Sequence, residues 1–294
     1  MRFALSIITL AALTLALSAC SALGVLNALT PAGAYHATVD VAYGPDAREM
    51  LDVYQPLATA GTLAPGAGYP VVVFFYGGAW NTGERKDYRF VAEALASRGI
   101  VVMIADYRLY PQVRYPDFLT DCARAFAWAR REAPRFGGDP GRVFLMGHSS
   151  GAYNAAMLAL DPRWLTAAGS SLSAVAGWIG LAGPYEFLPM TNVAAQPVFF
   201  HPNYPPGTQP IDYVSKAAPR TFLGAAATDA VVNPERNSRQ LAEKLQAAGV
   251  PVTLKLYSSV NHYTMIGVFG RPLRGLAPVL DDVVAFVHGE PQQR

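Results

Sequence analysis

Apolar and polar positions change their rhythm once along this chain. From Ala37 to Tyr43 and from Glu49 to Tyr54 they alternate, as in strands with one face in solvent. From residue 71 onward the alternation gives way to short unbroken apolar runs: Val71 to Tyr76, Ile100 to Ala105, Val143 to Met146, Trp178 to Ala182, Thr221 to Ala226 and Val252 to Tyr257. Runs of this kind suit strands covered on both faces, the situation inside a parallel sheet. Between them the apolar spacing becomes helical at Asp87 to Ser97, Asp117 to Arg135, Ser150 to Leu160 and Glu235 to Ala248, with a last stretch from Pro278 to Val287. Strand and helix take turns, so the pattern predicts an α/β fold: a mostly parallel, doubly wound sheet with helices on both faces. Ligands of such sheets bind beyond the carboxyl ends of the strands, and the loops there carry the candidate chemistry.

The bulk properties narrow the reading without redirecting it. In 294 residues, 52% are hydrophobic and 15% charged, enough apolar material for a buried sheet and too little charge for a disordered chain. No repeat, charge run or low-complexity linker divides the chain, so one catalytic-sized domain over residues 37–290 is expected. The formal charge is +2, with Lys and Arg scattered, which argues against a nucleic-acid surface.

The N-terminus reads differently. Arg2 followed by an apolar run from Phe3 to Leu17 has the form of an export signal, and Leu17-Ser18-Ala19-Cys20 resembles the lipobox of bacterial lipoproteins. The expectation is a signal peptide over 1–19, a lipidated Cys20 that tethers the protein to the membrane, and a tether over 20–36. Ordinary cleavage after small residues, or an uncleaved span through Leu26, are the alternatives. Ser21 in place of aspartate resembles outer-membrane sorting, should the envelope be Gram-negative. Cys122 shares a helix face with Phe118, Ala125, Phe126 and Ala129, and reads as a buried small hydrophobe rather than a reactive thiol.

The strongest chemical signal is Gly147-His148-Ser149-Ser150-Gly151, placed between the run ending at Met146 and an Ala-rich helical stretch. Strand, sharp turn and helix make a nucleophile elbow with Ser149 at its tip. A serine hydroxyl needs a base and an orienting acid. Asp229 follows the strand ending at Ala226, and His262 follows the next one. The order Ser149, Asp229, His262, each after a strand, matches the α/β-hydrolase arrangement. The rivals are worse placed: the His148 side chain is expected to point away from Ser149 and to pack or bond beside the turn, His36, His201 and His288 lie in tether, loop and terminal helix, and Asp281 and Asp282 come after His262. Oxyanion donors are expected from the backbone amides of Ser150 and of Gly78 or Ala79, in Tyr76-Gly77-Gly78-Ala79-Trp80. No His/Cys/Asp cluster has metal-ligand spacing, and neither a metal nor an organic cofactor is expected.

Together with Asp106-Tyr107-Arg108-Leu109, these motifs resemble the carboxylesterase branch of the α/β-hydrolases over about residues 37–288. The chain is most similar to bacterial feruloyl-esterase-like and kynurenine-formamidase-like hydrolases. The resemblance implies an α/β-hydrolase fold with a small cap, here about 184–218, and a departure at Tyr76, where the family usually has a histidine that braces the loop. Tyr107 and Arg108 are expected to brace the site, Arg108 through an internal ion pair rather than by binding a substrate carboxylate. Trp80, Tyr153, Phe187 and Tyr263 flank the motifs, as pocket lining or as ordinary core. The expected activity is hydrolysis of a small-molecule ester through an acyl-enzyme. The alternatives are an arylformamide or peptide amide as substrate, or a silent envelope protein that uses the fold for binding.

Overall fold

The computed structural model describes residues 22–57 and 68–289. The signal-peptide reading and Cys20 lie outside the described residues. All eight expected strands are present: β1 (Tyr35–Ala42), β2 (Met50–Pro56), β3 (Tyr69–Phe75), β4 (Val101–Ala105), β5 (Gly138–His148), β6 (Gly177–Leu181), β7 (Thr221–Ala226) and β8 (Val252–Tyr257). They form one sheet in the order β1-β2-β4-β3-β5-β6-β7-β8, antiparallel at β1-β2 and β2-β4 and parallel elsewhere. The change of rhythm in the sequence marks this boundary. β1 is mostly exposed, whereas β4 and β7 are buried along their whole length.

The helices are α1 (Ala22–Ala28), α2 (Arg89–Ala96), α3 (Asp117–Glu132), α4 (Ser150–Leu160), α5 (Pro162–Ala167), α6 (Gln240–Ala247), α7 (Thr264–Gly267) and α8 (Val279–His288). The crossover from β3 through α2 runs one way along the sheet, and those through α3 and α4 run the other. Right-handed crossovers then set α2 on the opposite face from α3 and α4, and α8 packs beside α2. The reversal falls between β3 and β5, so their carboxyl ends open a cleft. Every residue of α4 is buried, and its alanines bring it close to the sheet beneath.

Three expectations are corrected. Residues 20–36 are not merely a tether: from residue 22 they form α1, whose Leu26 is buried. The helix expected from Asp117 to Arg135 stops at Glu132, and a 3-10 turn over Ala133–Phe136 follows, because Pro134 supplies no amide to continue the helix. β5 begins at Gly138, well before the apolar run, because Gly138 pairs with Tyr69 at the start of β3, and the register shifts before Val143 meets Val71.

Between β6 and β7 the chain crosses over the cleft as an irregular segment with two 3-10 turns, Gln196–Phe199 and Pro210–Tyr213. It is tied down from several sides. The Gln209 side-chain oxygen accepts from the Phe187 and Leu188 amides at 2.9 and 3.0 Å, and the Tyr115 hydroxyl donates to the Gly207 carbonyl at 2.9 Å. Phe199 is fully buried, with ring centroids 4.8 Å from Trp80 and 5.6 Å from Tyr153. Burial of that ring stabilises the crossing by about 1.5–3 kcal/mol.

Candidate active site

Ser149 sits between the last residue of β5 and the first of α4 with φ 54° and ψ −123°, a left-handed conformation that costs a non-glycine residue about 1–3 kcal/mol. Its amide donates to the Leu181 carbonyl at 2.9 Å, fixing the turn to the end of β6. The neighbours leave no room for side chains: a Cβ at Gly147 would fall 2.1 Å from the Gly151 carbonyl oxygen, and one at Gly151 would fall 2.0 Å from that of Phe75. Glycine at both positions lets the start of α4 press against the ends of β3 and β5.

Two further strand ends bring their side chains to this tip. Ser149 Oγ lies 3.0 Å from His262 Nε2, and His262 Nδ1 lies 2.8 Å from Asp229 Oδ2. The loop bearing His262 is shaped by Asn261, whose side-chain oxygen accepts from the Tyr263 and Thr264 amides. Asp229 is held in turn by its other oxygen, which accepts from the Val231 and Val232 amides at 2.8 and 2.9 Å. Burial pushes the Asp229 carboxyl up, but the hydrogen bonds from His262 and from those two amides outweigh it and hold the group below the ordinary carboxylate range. An anionic Asp229 fixes the proton of neutral His262 on Nδ1, leaving Nε2 with a lone pair for the Ser149 hydroxyl. His148 is not part of this chain of bonds. Burial, with the nearby His262, pushes it down to about 3, so at neutral pH it is uncharged and its Nε2–H donates to the His262 carbonyl at 2.9 Å.

The loop after β3 passes beside the elbow, with an ideal Cβ at Gly77 only 3.0 Å from Ser149 Cβ. Gly78, Ala79 and Trp80 take φ of 138°, 52° and 60° in succession. Among the described residues, no acceptor meets the Gly78 and Ala79 amides, and the amide of Ser150, first in α4, is not spent within the helix. The strain is held by specific bonds. The Trp80 indole N–H donates to Asn154 Oδ1 at 2.9 Å, the Tyr110 amide donates to the Trp80 carbonyl at 2.8 Å, and the Gly78 carbonyl accepts from the Asn81 and Thr82 amides.

Sequence reasoning missed the charged group behind this loop. Tyr76 donates its hydroxyl proton to Asp106 at 2.6 Å and accepts from Arg48 at 2.8 Å, while Asp106 also takes the Arg85 amide at 2.7 Å and its guanidinium. Arg85 reaches on to Asp52 at 2.9 Å, and the Tyr107 hydroxyl donates to the Tyr76 carbonyl. Tyr76 thus ties the loop to a buried ion-pair network. Arg48 and Arg85 carry no local sequence signal, since their partners are far away in the chain. Arg108 forms a two-pronged ion pair with Asp121, as expected of an internal partner.

Two cavities meet at Ser149. One, about 520 Å³, lies under the crossing segment and is lined by Trp80, Phe187, Met190 and the polar side chains of Glu186, Asn233 and Arg236. The second, about 640 Å³, opens between the loop after β3 and the His262 loop. Asn192 and Val231 line both and were not anticipated. Of the residues expected to flank a pocket, Trp80 and Phe187 line the first cavity and Tyr263, 71% exposed, the second. Tyr153 lines neither. It is fully buried, its hydroxyl donates to the Thr208 carbonyl at 2.8 Å, and its ring holds the crossing segment to α4.

Comparison with known proteins agrees with this architecture. The BD-FAE family profile matches residues 51–245. The isoprenylcysteine alpha-carbonyl methylesterase ICME of Arabidopsis thaliana is 30% identical over 272 residues, covering 85% of this chain and 62% of the relative. Esterase LipQ of Mycobacterium tuberculosis is 30% identical, over 86% of this chain and 63% of its own. The chain therefore spans a little under two thirds of the length of these curated relatives. Among solved structures, a truncated carbohydrate esterase from gut microbiota superposes with a TM-score of 0.71 at 19% identity, over 88% of this chain and 98% of that one. Thermogutta terrifontis esterase 2 phosphonylated by cyclosarin superposes with a TM-score of 0.69 at 22% identity, over 90% and 97%. At these identities the structural likeness establishes the α/β-hydrolase fold.

Proposed function

Because this chain belongs to the BD-FAE family and has the α/β-hydrolase fold, we propose that it is a serine esterase that cleaves small-molecule carboxylic esters through an acyl-enzyme. The observation that carries this reading is the unbroken line from Ser149 Oγ through His262 to Asp229, at 3.0 and 2.8 Å. Ser149 attacks the ester carbonyl as its proton passes to His262 Nε2, and anionic Asp229 stabilises the imidazolium that forms. The amides of Ser150 and of Gly78 or Ala79 donate to the oxyanion. Set before the reaction begins, such donors cost no reorganisation, and each is worth about 3–4 kcal/mol in reactions of this class. Collapse of the tetrahedral intermediate breaks the acyl–oxygen bond, and His262 returns its proton to the departing alcohol. Water, activated by the same imidazole, then attacks the acyl-serine and releases the acid.

The family and the esterase names of the relatives support ester over amide chemistry. Reaction with a fluorophosphonate probe tests the reading: the parent protein labels and Ser149→Ala does not, and equal labelling of the two would overturn it. We further propose that the protein is exported and held at the membrane of the bacterial cell envelope by a lipidated Cys20, on the strength of the lipobox-like Leu17-Ser18-Ala19-Cys20. Metabolic labelling with a fatty-acid analogue checks this, with Cys20→Ala expected to lose both label and membrane fraction.

A further inference from the structure

The two cavities at Ser149 differ in chemistry. The first has Glu186, Arg236 and several asparagines in its wall. The second has Leu23, Leu26, Ile266, Leu273 and the ring of Tyr88, and among the described residues Asp87 is its single Asp, Glu, Lys or Arg. Leu23 and Leu26 come from α1, so the N-terminal helix forms one wall of a space that reaches the nucleophile. That wall is fixed. Leu26 is 8% exposed and packs so closely on the turn after α7 that a Cβ at Gly270 would fall 2.8 Å from its methyl carbon. Asn27 clasps the start of α2, its Nδ2 donating to the Lys86 carbonyl at 2.8 Å and its Oδ1 accepting from the Phe90 amide at 3.2 Å. Thr30 closes the helix end by donating to the Leu26 carbonyl at 2.8 Å.

Proton transfer decides which half of an ester enters this space. The leaving oxygen must lie within reach of the imidazole that reprotonates it, and His262 lines the second cavity but not the first. We propose that the second cavity is the subsite of the leaving alcohol and that α1 makes it select hydrocarbon alcohols of about six carbons or more. This rests on the serine-esterase reading above. In the step concerned, the Ser149–acyl bond has formed, the acyl–oxygen bond breaks, and His262 gives its proton to the alkoxide, which leaves as the alcohol along the α1 wall. The acyl group remains on Ser149, on the side of the first cavity. Volume fits the assignment, since small-ligand pockets run from about 300 to 1,000 Å³. Each methylene moved from water into such a groove is worth about fourfold in kcat/KM.

The test uses the full chain and two matched series, acetates of ethanol to octanol and ethyl esters of acetate to octanoate. The hexyl-to-ethyl acetate ratio of kcat/KM is expected to be at least about tenfold, four added methylenes discounted for incomplete burial. Leu23→Trp, which fills the groove, is expected to reduce that ratio by about tenfold and to leave the ethyl hexanoate to ethyl acetate ratio where it was. Leu23→Ala, which removes three carbons of wall, is expected to reduce it about threefold. It decides the matter should the tryptophan variant melt well below the parent. A hexyl-to-ethyl ratio moved less than twofold by a folded variant, or an equal change in both series, overturns the assignment while leaving the esterase reading intact. Failure to cleave any ester, or undiminished turnover by Ser149→Ala, overturns that reading and the assignment with it.

Discussion

Replacing Asp229 with asparagine isolates one element of the proposed mechanism, because the fold around the side chain is expected to stay as it is. Oδ1 accepts from the Val231 and Val232 amides, a task that an amide oxygen performs as well as a carboxylate oxygen. That bonding fixes which way the asparagine sits, so its NH2 faces His262 Nδ1, where Oδ2 stood at 2.8 Å. Nδ1 must then accept, the imidazole proton moves to Nε2, and the atom 3.0 Å from Ser149 Oγ becomes a donor. The base is lost to the wrong tautomer, and the anion that would stabilise imidazolium goes with it. In a serine protease with the same three groups, this change costs about ten-thousandfold in turnover, or about 5 kcal/mol of transition-state stabilisation. The same loss in kcat is expected here for a p-nitrophenyl ester, with KM within about threefold of the parent and the melting temperature within a few degrees. A variant that keeps more than about a tenth of the parent kcat, folded and saturable, would refute the reasoning and move the acid elsewhere.

Other outcomes follow from the same geometry. Gly151→Ala drives a Cβ against the Phe75 and Tyr76 carbonyl oxygens at 2.0 and 2.5 Å, parting the elbow from the loop after β3. A destabilisation of about 1–3 kcal/mol in urea titration and at least a hundredfold loss of kcat are expected, since a displacement near 1 Å costs about that much. Tyr76→Phe leaves Asp106 and Arg48 each short of one bond and is expected to lower stability by about 2 kcal/mol by denaturant titration. His148 is charged more readily unfolded than folded, its native value lying near 3 against an ordinary 6.5. The unfolded chain therefore binds the extra proton between those values, and the parent loses stability as pH falls below about 6.5. His148→Gln is expected to lose that slope in urea titrations from pH 7 to 5, and a slope equal to the parent's would refute this account.

The strands, their succession along the chain and the elbow were legible from the sequence because each rests on a local signal, and the three residues of the hydrogen-bonded chain followed from them. Burial on both faces forces continuous apolar runs, and the sharp turn at Ser149 demands small neighbours at 147 and 151. Asp229 and His262 were found by counting strands, since a parallel sheet sends every strand's carboxyl end to the same side. What lies between these landmarks was not legible. Residues 22–28 are mostly apolar but too short a stretch to set a helical period, and only the structure shows their contacts with the start of α2 and the turn after α7 that make them a cavity wall. Arg48 and Arg85 look like surface charges until their partners arrive, Tyr76 and Asp106 from just beyond the ends of β3 and β4 and Asp52 from β2.

Tyr153 shows the same division at a single residue. Its place in α4, four residues beyond Ser149, follows from sequence, but whether its ring faces a ligand or a neighbour depends on how the segment between β6 and β7 folds back over it. Local periodicity and turn chemistry are properties of a few consecutive residues, so the chain by itself determined its elements, their order and the edge of the sheet where the reactive groups stand. The wall of the second cavity is built from segments over two hundred residues apart, α1 and the loop after β8 among them, and that of the first draws on residues from Ala79 to Asn237. No local pattern records such encounters, and the tertiary structure alone decided what shape and polarity a substrate would meet.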